Sequence, residues 1–179
     1  MNVIKTKLSE VLILEPKVYE DSRGFFKEIY QAQRYAECNI GVNFVQDNYS
    51  RSRKDVLRGL HFQVSKPQGK LVSCLKGAVY DVVVDINVNS STFGQYIGVE
   101  LNEKNHLQVW IPPGYAHGFC VLTNTADFQY KCTDYYDPFD EGGIIWNDKD
   151  LAIEWPTDTP FIANKDLNLP TFQDLVNKK

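Results

Sequence analysis

Hydrophobic and polar residues alternate over many short stretches of this chain, which is the pattern of half-buried β-strands. The clearest example lies within residues 69–88, where positions 80, 82, 84 and 86 are apolar or aromatic and the intervening face carries Asp81 and Asp85. Further strand-sized runs occupy residues 11–14, 24–30, 42–48, 96–101, 108–111, 119–122, 126–133 and 143–146. The pattern therefore predicts a protein built mainly from β-strands.

Turn-forming residues separate these runs, among them Gly94, Asn102 and Gly114. Helical character is confined to residues 32–38 and to a short segment at 167–176. Many short strands with few helices predict an all-β fold, either a β-sandwich or a small barrel, whose interior can hold a ligand. A length of 179 residues fits one domain covering residues 1–179.

Composition narrows the classes of protein that fit. Apolar residues make up 43% of the chain and aromatic residues 13%, and the net charge is −4. This acidity argues against general binding to nucleic acids or to an anionic membrane. We find no apolar run of the roughly 18 residues that a membrane helix needs and no signal peptide. Cysteines 38, 74, 120 and 132 form no CxxC pair, so we expect free thiols and a cytoplasmic protein.

The segment RGLHFQ, residues 58–63, places a candidate base on a predicted strand. Regular alternation puts His61 and Gln63 on one face and Arg58 on the other. A β-bulge at Gly59 could turn Arg58 towards the same cavity as His61. The alternative interpretation is a surface strand with an ordinary hydrogen-bonded histidine.

Two further side chains suit proton transfer on an anionic substrate. Lys70 follows a glycine at a predicted strand start, where a cation can reach a phosphate or an enolate oxygen. Tyr130 lies on another predicted strand, and its phenol can act as a general acid if nearby cations lower its pKa. A solvated lysine and a packed tyrosine are the corresponding structural interpretations.

The segment PPGYAH, residues 112–117, resembles the second signature motif of the cupin jelly rolls, Pro-x-Gly-x-x-His. The first cupin motif supplies two histidines as His-x-His, whereas here the matching residues are His61, Phe62 and Gln63. His61 and His117 without a placed carboxylate are too few ligands for a catalytic metal. The sequence therefore predicts no metal site.

Nearly the whole chain resembles one family, the cupin-type dTDP-4-dehydrorhamnose 3,5-epimerases. The similarity runs from residues 11–16 to Asp166. It includes DSRGFF at 21–26, FVQDN at 44–48, VLRGLHFQ at 56–63, QGKLV at 68–72, STFGQ at 91–95, WIP at 110–112, AHGF at 116–119 and WND at 146–148. The resemblance implies a jelly-roll β-sandwich that converts dTDP-4-dehydro-6-deoxy-D-glucose to dTDP-4-dehydro-L-rhamnose.

The resemblance also implies roles for individual residues. His61 would remove the protons next to the C4 ketone, with Asp166 orienting its ring, and Tyr130 would return a proton at C5 from the opposite face. Lys70 would hold the C4 oxyanion. Contacts to the sugar, the diphosphate or the nucleotide would come from Arg23, Phe26, Glu28, Gln46, Asn48, Arg58, Lys70, His117, Tyr136, Glu141 and Lys165, with Tyr136 stacked on thymine.

The resemblance implies a homodimer in which the partner subunit completes the site, and no metal or organic cofactor. Three alternatives remain open. The first is a relative that epimerises only C3 or takes another nucleotide sugar, against which Tyr130 argues because the C5 step needs a donor on the far face. The second is a non-catalytic cupin that binds a sugar nucleotide, and the third is a metal-dependent cupin enzyme.

Overall fold

In the computed structural model, which describes residues 1–177, the chain forms thirteen β-strands and three short α-helices. The last two residues of the predicted domain, 178 and 179, lie outside this range. The strands are β1 (Asn2–Lys5), β2 (Leu12–Glu15), β3 (Val18–Asp21), β4 (Gly24–Lys27), β5 (Gln46–Arg53), β6 (Leu57–Gln63), β7 (Lys70–Lys76), β8 (Ala78–Asp85), β9 (Tyr96–Asn102), β10 (Gln108–Ile111), β11 (Tyr115–Val121), β12 (Thr125–Cys132) and β13 (Glu141–Gly143). The helices are α1 (Ala32–Ala36), α2 (Asn164–Leu167) and α3 (Phe172–Asn177). None of the helices in the described part of the chain is long and apolar enough to cross a membrane.

Two antiparallel sheets build the body of the fold. One has the strand order β1-β2-β10-β7-β12-β5 and the other the order β13-β6-β11-β8-β9, while β3 and β4 form a separate hairpin. Val72 and Phe128 of the first sheet share one core cluster with Val83 and Phe119 of the second, so the sheets pack face to face. The predicted all-β, jelly-roll sandwich is confirmed.

Strand β8 is buried on both faces. Val79 and Val83 point into the core between the sheets, whereas Val82 and Val84 pack in a second cluster with Leu151 and the C-terminal segment. The face that carries Asp81 is therefore an inner face, and that carboxylate is fully buried. Sequence alternation identified the two faces correctly, but only the packing shows that the acidic one is inside.

Several predicted boundaries were wrong. The predicted strand at 42–48 is β5, which starts at Gln46 and continues to Arg53 through a polar sequence. The strand is polar because it lies at the edge of its sheet and pairs only with β12. The single helix predicted at 167–176 is two helices, α2 and α3, with Pro170 between them. Strand β11 begins at Tyr115, four residues before the predicted start at 119.

Candidate active site

A cavity of about 670 Å³ opens between the sheets. Its walls come from β5, β6, β7, β11 and β12, from the segment that joins β12 to β13, and from the residues around α2. Most of the predicted site residues line it, namely Gln46, Asn48, Arg58, His61, Lys70, His117, Tyr130, Tyr136, Glu141, Lys165 and Asp166. Residues up to 120 positions apart in the sequence, from Gln46 to Asp166, thus meet in one space.

A β-bulge on β6 brings Arg58 and His61 to the same cavity. His61 pairs with His117 of β11, but Arg58 pairs with Phe119. The chain therefore advances three residues on β6 over a stretch where it advances two on β11. The extra residue is accommodated at Gly59, whose φ is 120°. A Cβ atom there would lie 2.6 Å from the Cα of Gly118, so only glycine fits. The bulge expected from the sequence is present.

His61 is held by a buried carboxylate. Its Nε2 lies 2.8 Å from Oδ1 of Asp166, and the other oxygen of Asp166 accepts from the backbone N–H of Gly59 at 3.4 Å. Burial opposes ionisation of Asp166, but these bonds, led by that from His61, outweigh it, and the pKa of the carboxyl is lowered. Because a carboxylate only accepts, Nε2 carries a hydrogen, so the lone pair of the neutral form of this ring lies on Nδ1.

Glu141 links His61 to the other wall of the cavity. Its Oε1 lies 3.5 Å from Nε2 of His61, and it accepts from Nζ of Lys165 at 2.7 Å. The Tyr136 hydroxyl donates to its other oxygen. Burial raises the pKa of Glu141, but the bonds from Lys165 and Tyr136 outweigh burial, and the net pKa is lowered. The bond between Tyr136 and Glu141 in turn raises the pKa of Tyr136 to about 12. Two carboxylates therefore face the His61 ring.

Tyr130 and Lys70 face the cavity from neighbouring strands of the six-stranded sheet. Burial raises the pKa of the Tyr130 phenol and outweighs the opposite effect of Arg58. The condition named from the sequence, that nearby cations lower this pKa, is therefore not met, because desolvation is the larger effect. A phenol that stays protonated at neutral pH is in the state needed to donate a proton. Burial lowers the pKa of Lys70, against the attraction of Cys132, Asp81 and Glu141.

His117 forms a second histidine–carboxylate pair. Its Nε2 lies 2.8 Å from Oδ2 of Asp81, a residue of the neighbouring strand β8. Asp81 is fully buried, and within the described residues its Oδ1 has no hydrogen-bond partner. Asp81 was not among the predicted site residues. The signal that could have found it is a carboxylate within an otherwise apolar strand, since such a group needs a polar partner.

Comparison with known proteins decides the family. The model of the dTDP-4-dehydrorhamnose 3,5-epimerase family matches residues 5–174. The chain belongs to this family. It is 55% identical to the dTDP-4-dehydrorhamnose 3,5-epimerase of Salmonella typhimurium over 174 aligned residues. The aligned region covers 95% of this chain and 94% of that protein.

Solved structures of family members have the same fold. An epimerase from Legionella pneumophila Philadelphia 1, crystallised with dTDP-4-keto-L-rhamnose, is 53% identical with a TM-score of 0.94, over 96% of this chain and 93% of that one. A 3'-monoepimerase from Streptomyces bikiniensis, crystallised with dTDP as a mutant in which one histidine and one tyrosine are replaced, is 29% identical with a TM-score of 0.91, over 97% of this chain and 89% of that one.

Three residues that the family resemblance places at the substrate lie outside the cavity of this single chain. Arg23 binds Asp21 at 2.6 Å on the β3–β4 hairpin, and Glu28 binds Arg34 at 2.7 Å just beyond it. Phe26 is 68% exposed on the same hairpin. The chain alone therefore does not bring these three to His61.

Several cavity residues were not among the predicted ones, and the larger polar or aromatic side chains among them include Tyr49, Arg53, Gln63, Gln68 and Phe161. The guanidinium of Arg53 lies 4.0 Å from the centre of the Phe161 ring, and the backbone of Phe161 pairs with Val56 in an isolated bridge. Sequence pattern could not find Phe161, because it lies about a hundred residues from Val56 in a segment without periodicity.

The histidines of this family member do not converge on a common point for a metal. Among residues 1–177, no group of three or more His, Cys, Asp and Glu side chains is arranged to hold an ion. His61 and His117 each turn Nε2 to a separate carboxylate. Gln63, which stands where the cupin motif has its second histidine, binds the backbone of Asp137. Function without a metal or organic cofactor remains a prediction.

Proposed function

We propose that this chain is an isomerase that inverts C3 and C5 of dTDP-4-dehydro-6-deoxy-D-glucose. The product is dTDP-4-dehydro-L-rhamnose, an intermediate of dTDP-L-rhamnose biosynthesis. The observation that carries this proposal is that a carboxylate-held histidine, a protonated phenol and a lysine line one cavity. A base, an acid and an oxyanion donor are the groups that epimerisation next to a ketone requires.

The C4 ketone of the substrate acidifies the hydrogens on C3 and C5. In the proposed reaction Nδ1 of His61 takes one of these protons, and the electron pair of the broken C–H bond moves to O4 as an enolate. The ammonium of Lys70 stabilises that oxygen, while Asp166 and Glu141 stabilise the imidazolium. Tyr130 gives its proton to C5 from the opposite face, which inverts that centre and leaves a phenolate. At C3 the new proton comes from solvent on the face opposite His61, and proton exchange with water restores the phenol and the neutral imidazole.

Substrate binding is assigned to the polar groups around this centre. Arg58 and His117 contact the sugar or the diphosphate, since a guanidinium fits phosphate oxygens well. The nucleotide lies against Tyr136, whose ring stacks on thymine. Its remaining proposed contacts are Gln46, Asn48, Glu141 and Lys165, which all line the same cavity. This local group of cations accounts for the binding of an anion by an acidic protein.

Proton exchange with solvent tests the proposal directly. We would incubate dTDP-4-dehydro-6-deoxyglucose with the protein in D₂O without added metal and follow C3 and C5 by proton NMR. Deuterium at both carbons, with dTDP-L-rhamnose formed after addition of a reductase, is the expected result. Absence of exchange at both carbons would refute the function and leave a binding protein.

Epimerisation at C3 alone is the second candidate, and the similarity to a 3'-monoepimerase favours it. Deuterium at C3 without deuterium at C5 in the same NMR experiment would establish the single epimerisation.

Replacing Lys70 with methionine is expected to lower kcat about 10²–10³-fold, because the enolate oxygen loses its cation. Methionine keeps most of the side-chain length, so the packing of β7 is preserved. The matched control is Lys76→Met at the exposed end of the same strand, which should leave kcat unchanged. Steady-state kinetics with a coupled reductase measures both, and a Lys70→Met enzyme with wild-type kcat would remove Lys70 from the mechanism.

We further propose a homodimer whose hairpins complete each other's sites. The β3–β4 hairpin exposes the aromatic rings of Tyr19, Phe25 and Phe26, each more than half accessible. A cluster of exposed aromatic side chains is typical of a protein interface. In this arrangement Arg23, Phe26 and Glu28 contact the substrate in the cavity of the partner subunit.

A mixed dimer tests this arrangement. One subunit carries His61→Asn and the other Arg23→Ala, and the two are co-expressed with different tags. If the hairpin acts across the interface, one of the two sites contains both wild-type residues, and the mixed dimer keeps about half of the wild-type activity. If Arg23 acts within its own subunit, each site has one defect and the mixed dimer is as inactive as the two parents.

We also propose that the chain forms one domain and works in the cytoplasm. A single core cluster combines residues from both large sheets, from Leu8 to Phe128, which supports one folding unit. The four cysteines are free, and free thiols are typical of a reducing compartment. The proposed partners are the dTDP-sugar and a second copy of the chain, and nucleic acids and membranes are not among them.

A further inference from the structure

Glutamine side chains hold the segment that carries Tyr136 and joins β12 to β13. Gln68, just before β7, donates from Nε2 to the backbone carbonyl of Asp134 at 2.7 Å. Gln46, at the start of β5, accepts from the backbone N–H of Tyr136 at 2.9 Å. This segment has no strand partner at these positions, so the side-chain amides satisfy backbone groups that a sheet would otherwise satisfy.

Gln63, at the end of β6, makes the most complete of these connections. Its Nε2 donates to the carbonyl of Asp137 at 3.0 Å, and its Oε1 accepts from the N–H of the same residue at 2.9 Å. A glutamine amide has a donor and an acceptor side by side, so it binds both the N–H and the C=O of one residue, as a neighbouring strand does. Gln63 is 5% exposed, so its amide end of both bonds is largely removed from solvent.

The position of Gln63 connects the base to this segment. It lies two residues after His61 on β6 and pairs across the sheet with Glu141 of β13. Asp137, which it holds, follows Tyr136 directly, and the Tyr136 hydroxyl donates to Glu141. The polar side chain that replaces a cupin histidine at position 63 thus fixes the backbone beside the aromatic ring of Tyr136.

We propose that Gln63 is a positioning residue that orients Tyr136 for the base of the nucleotide sugar. This role rests on the proposed function, because it makes Gln63 the residue that controls the affinity of the enzyme for the nucleotide part of its substrate. Gln63 acts through the backbone of Asp137 rather than on the reacting carbons. It therefore governs binding of the dTDP group and not the rate of proton transfer.

The variant Gln63→Met tests this role, because methionine has a similar length and makes neither hydrogen bond. The backbone groups of Asp137 are then left without their partner, and the segment loosens. We expect KM for the sugar nucleotide and Kd for dTDP to rise about tenfold, with kcat within about twofold of wild type. Amide hydrogen exchange at Asp137 should become faster. Gln129→Met, on the face of β12 opposite Tyr130, is the matched control and should change none of these quantities.

A double-mutant cycle separates positioning from direct contact with the ligand. In a Tyr136→Ala background, Gln63→Met should change the Kd for dTDP less than about twofold, because the ring that it orients is absent. An equal change in both backgrounds would mean that Gln63 acts independently of Tyr136 and would overturn the proposal. A wild-type KM and Kd in Gln63→Met would overturn it as well.

If Gln63→Met does not fold, Gln68→Met tests the same arrangement through Asp134. A raised KM with retained kcat supports the proposal, and wild-type values overturn it. These outcomes are distinct from failure of the proposed function. A wild-type protein that neither binds dTDP nor exchanges the substrate's protons refutes that function, whereas an active wild type with an unaffected Gln63→Met refutes only the role of Gln63.

Discussion

Replacing His61 with asparagine is expected to lower kcat about 10²–10⁴-fold, the usual contribution of a placed general base. Asparagine has a side-chain N–H but no basic nitrogen, so the polar character near Asp166 is kept while proton abstraction is lost. Exchange at C3 and at C5 should fall together, because one base is assigned to both carbons. Deuterium incorporation followed by NMR measures the two rates in one sample.

Binding distinguishes loss of the base from loss of the fold. The His61→Asn protein should bind dTDP with a Kd close to that of the wild type, because Tyr136, Gln46 and Asn48 are unchanged. Calorimetric titration with dTDP gives that constant, and a thermal melt reports the fold. If the variant binds dTDP normally and still turns over within tenfold of wild type, His61 is not the base.

Tyr130→Phe is expected to separate the two epimerisations. The phenylalanine keeps the ring but has no proton to give, so inversion at C5 should fall about 10²-fold or more while exchange at C3 continues. The expectation depends on the phenol being protonated at working pH. Burial supports this state, because it raises the pKa of Tyr130 in spite of Arg58.

Tyr80→Phe is the matched control for this change. Tyr80 lies on the outer face of β8 against Trp155, outside the cavity lining. Its replacement should leave exchange at both carbons unchanged. Equal losses at C3 and C5 in Tyr130→Phe would show that the phenol serves both steps, for example by holding the C4 oxygen, and the assignment as the C5 acid would then be withdrawn.

The local sequence predicted strand boundaries best where apolar and polar residues alternate regularly along the strand. The segments that became β8, β10 and β12 were predicted within one or two residues, because apolar side chains alternate there with the pleat. Strands β1 and β3 were not predicted at all, and the prediction was poor for β5, whose exposed edge needs few apolar residues. It was also wrong about the C-terminal helix, which Pro170 interrupts.

Long-range pairing decided features of the site that local pattern leaves open. The sequence suggested a bulge at Gly59, but the register between β6 and β11 is what places Arg58 beside His61. The pairing of Asp81 with His117 depends on β8 and β11 being neighbours. The pKa of Tyr130 could not be predicted from the sequence for the same reason. It depends on the balance between burial and the nearby Arg58, and that balance exists only in the folded cavity.

The sequence by itself determined the all-β class and was enough to nominate candidate reactive groups. His61, Lys70, Tyr130 and Asp166 could be proposed because they lie in ordered motifs that resemble those of one family. Only the tertiary structure decided which carboxylate holds which histidine, and that Gln63 holds the backbone of Asp137. It also showed that Arg23, Phe26 and Glu28 lie away from the cavity. The physical reason is that side-chain chemistry is a local property of the chain, whereas distances and burial depend on strands that are far apart in sequence.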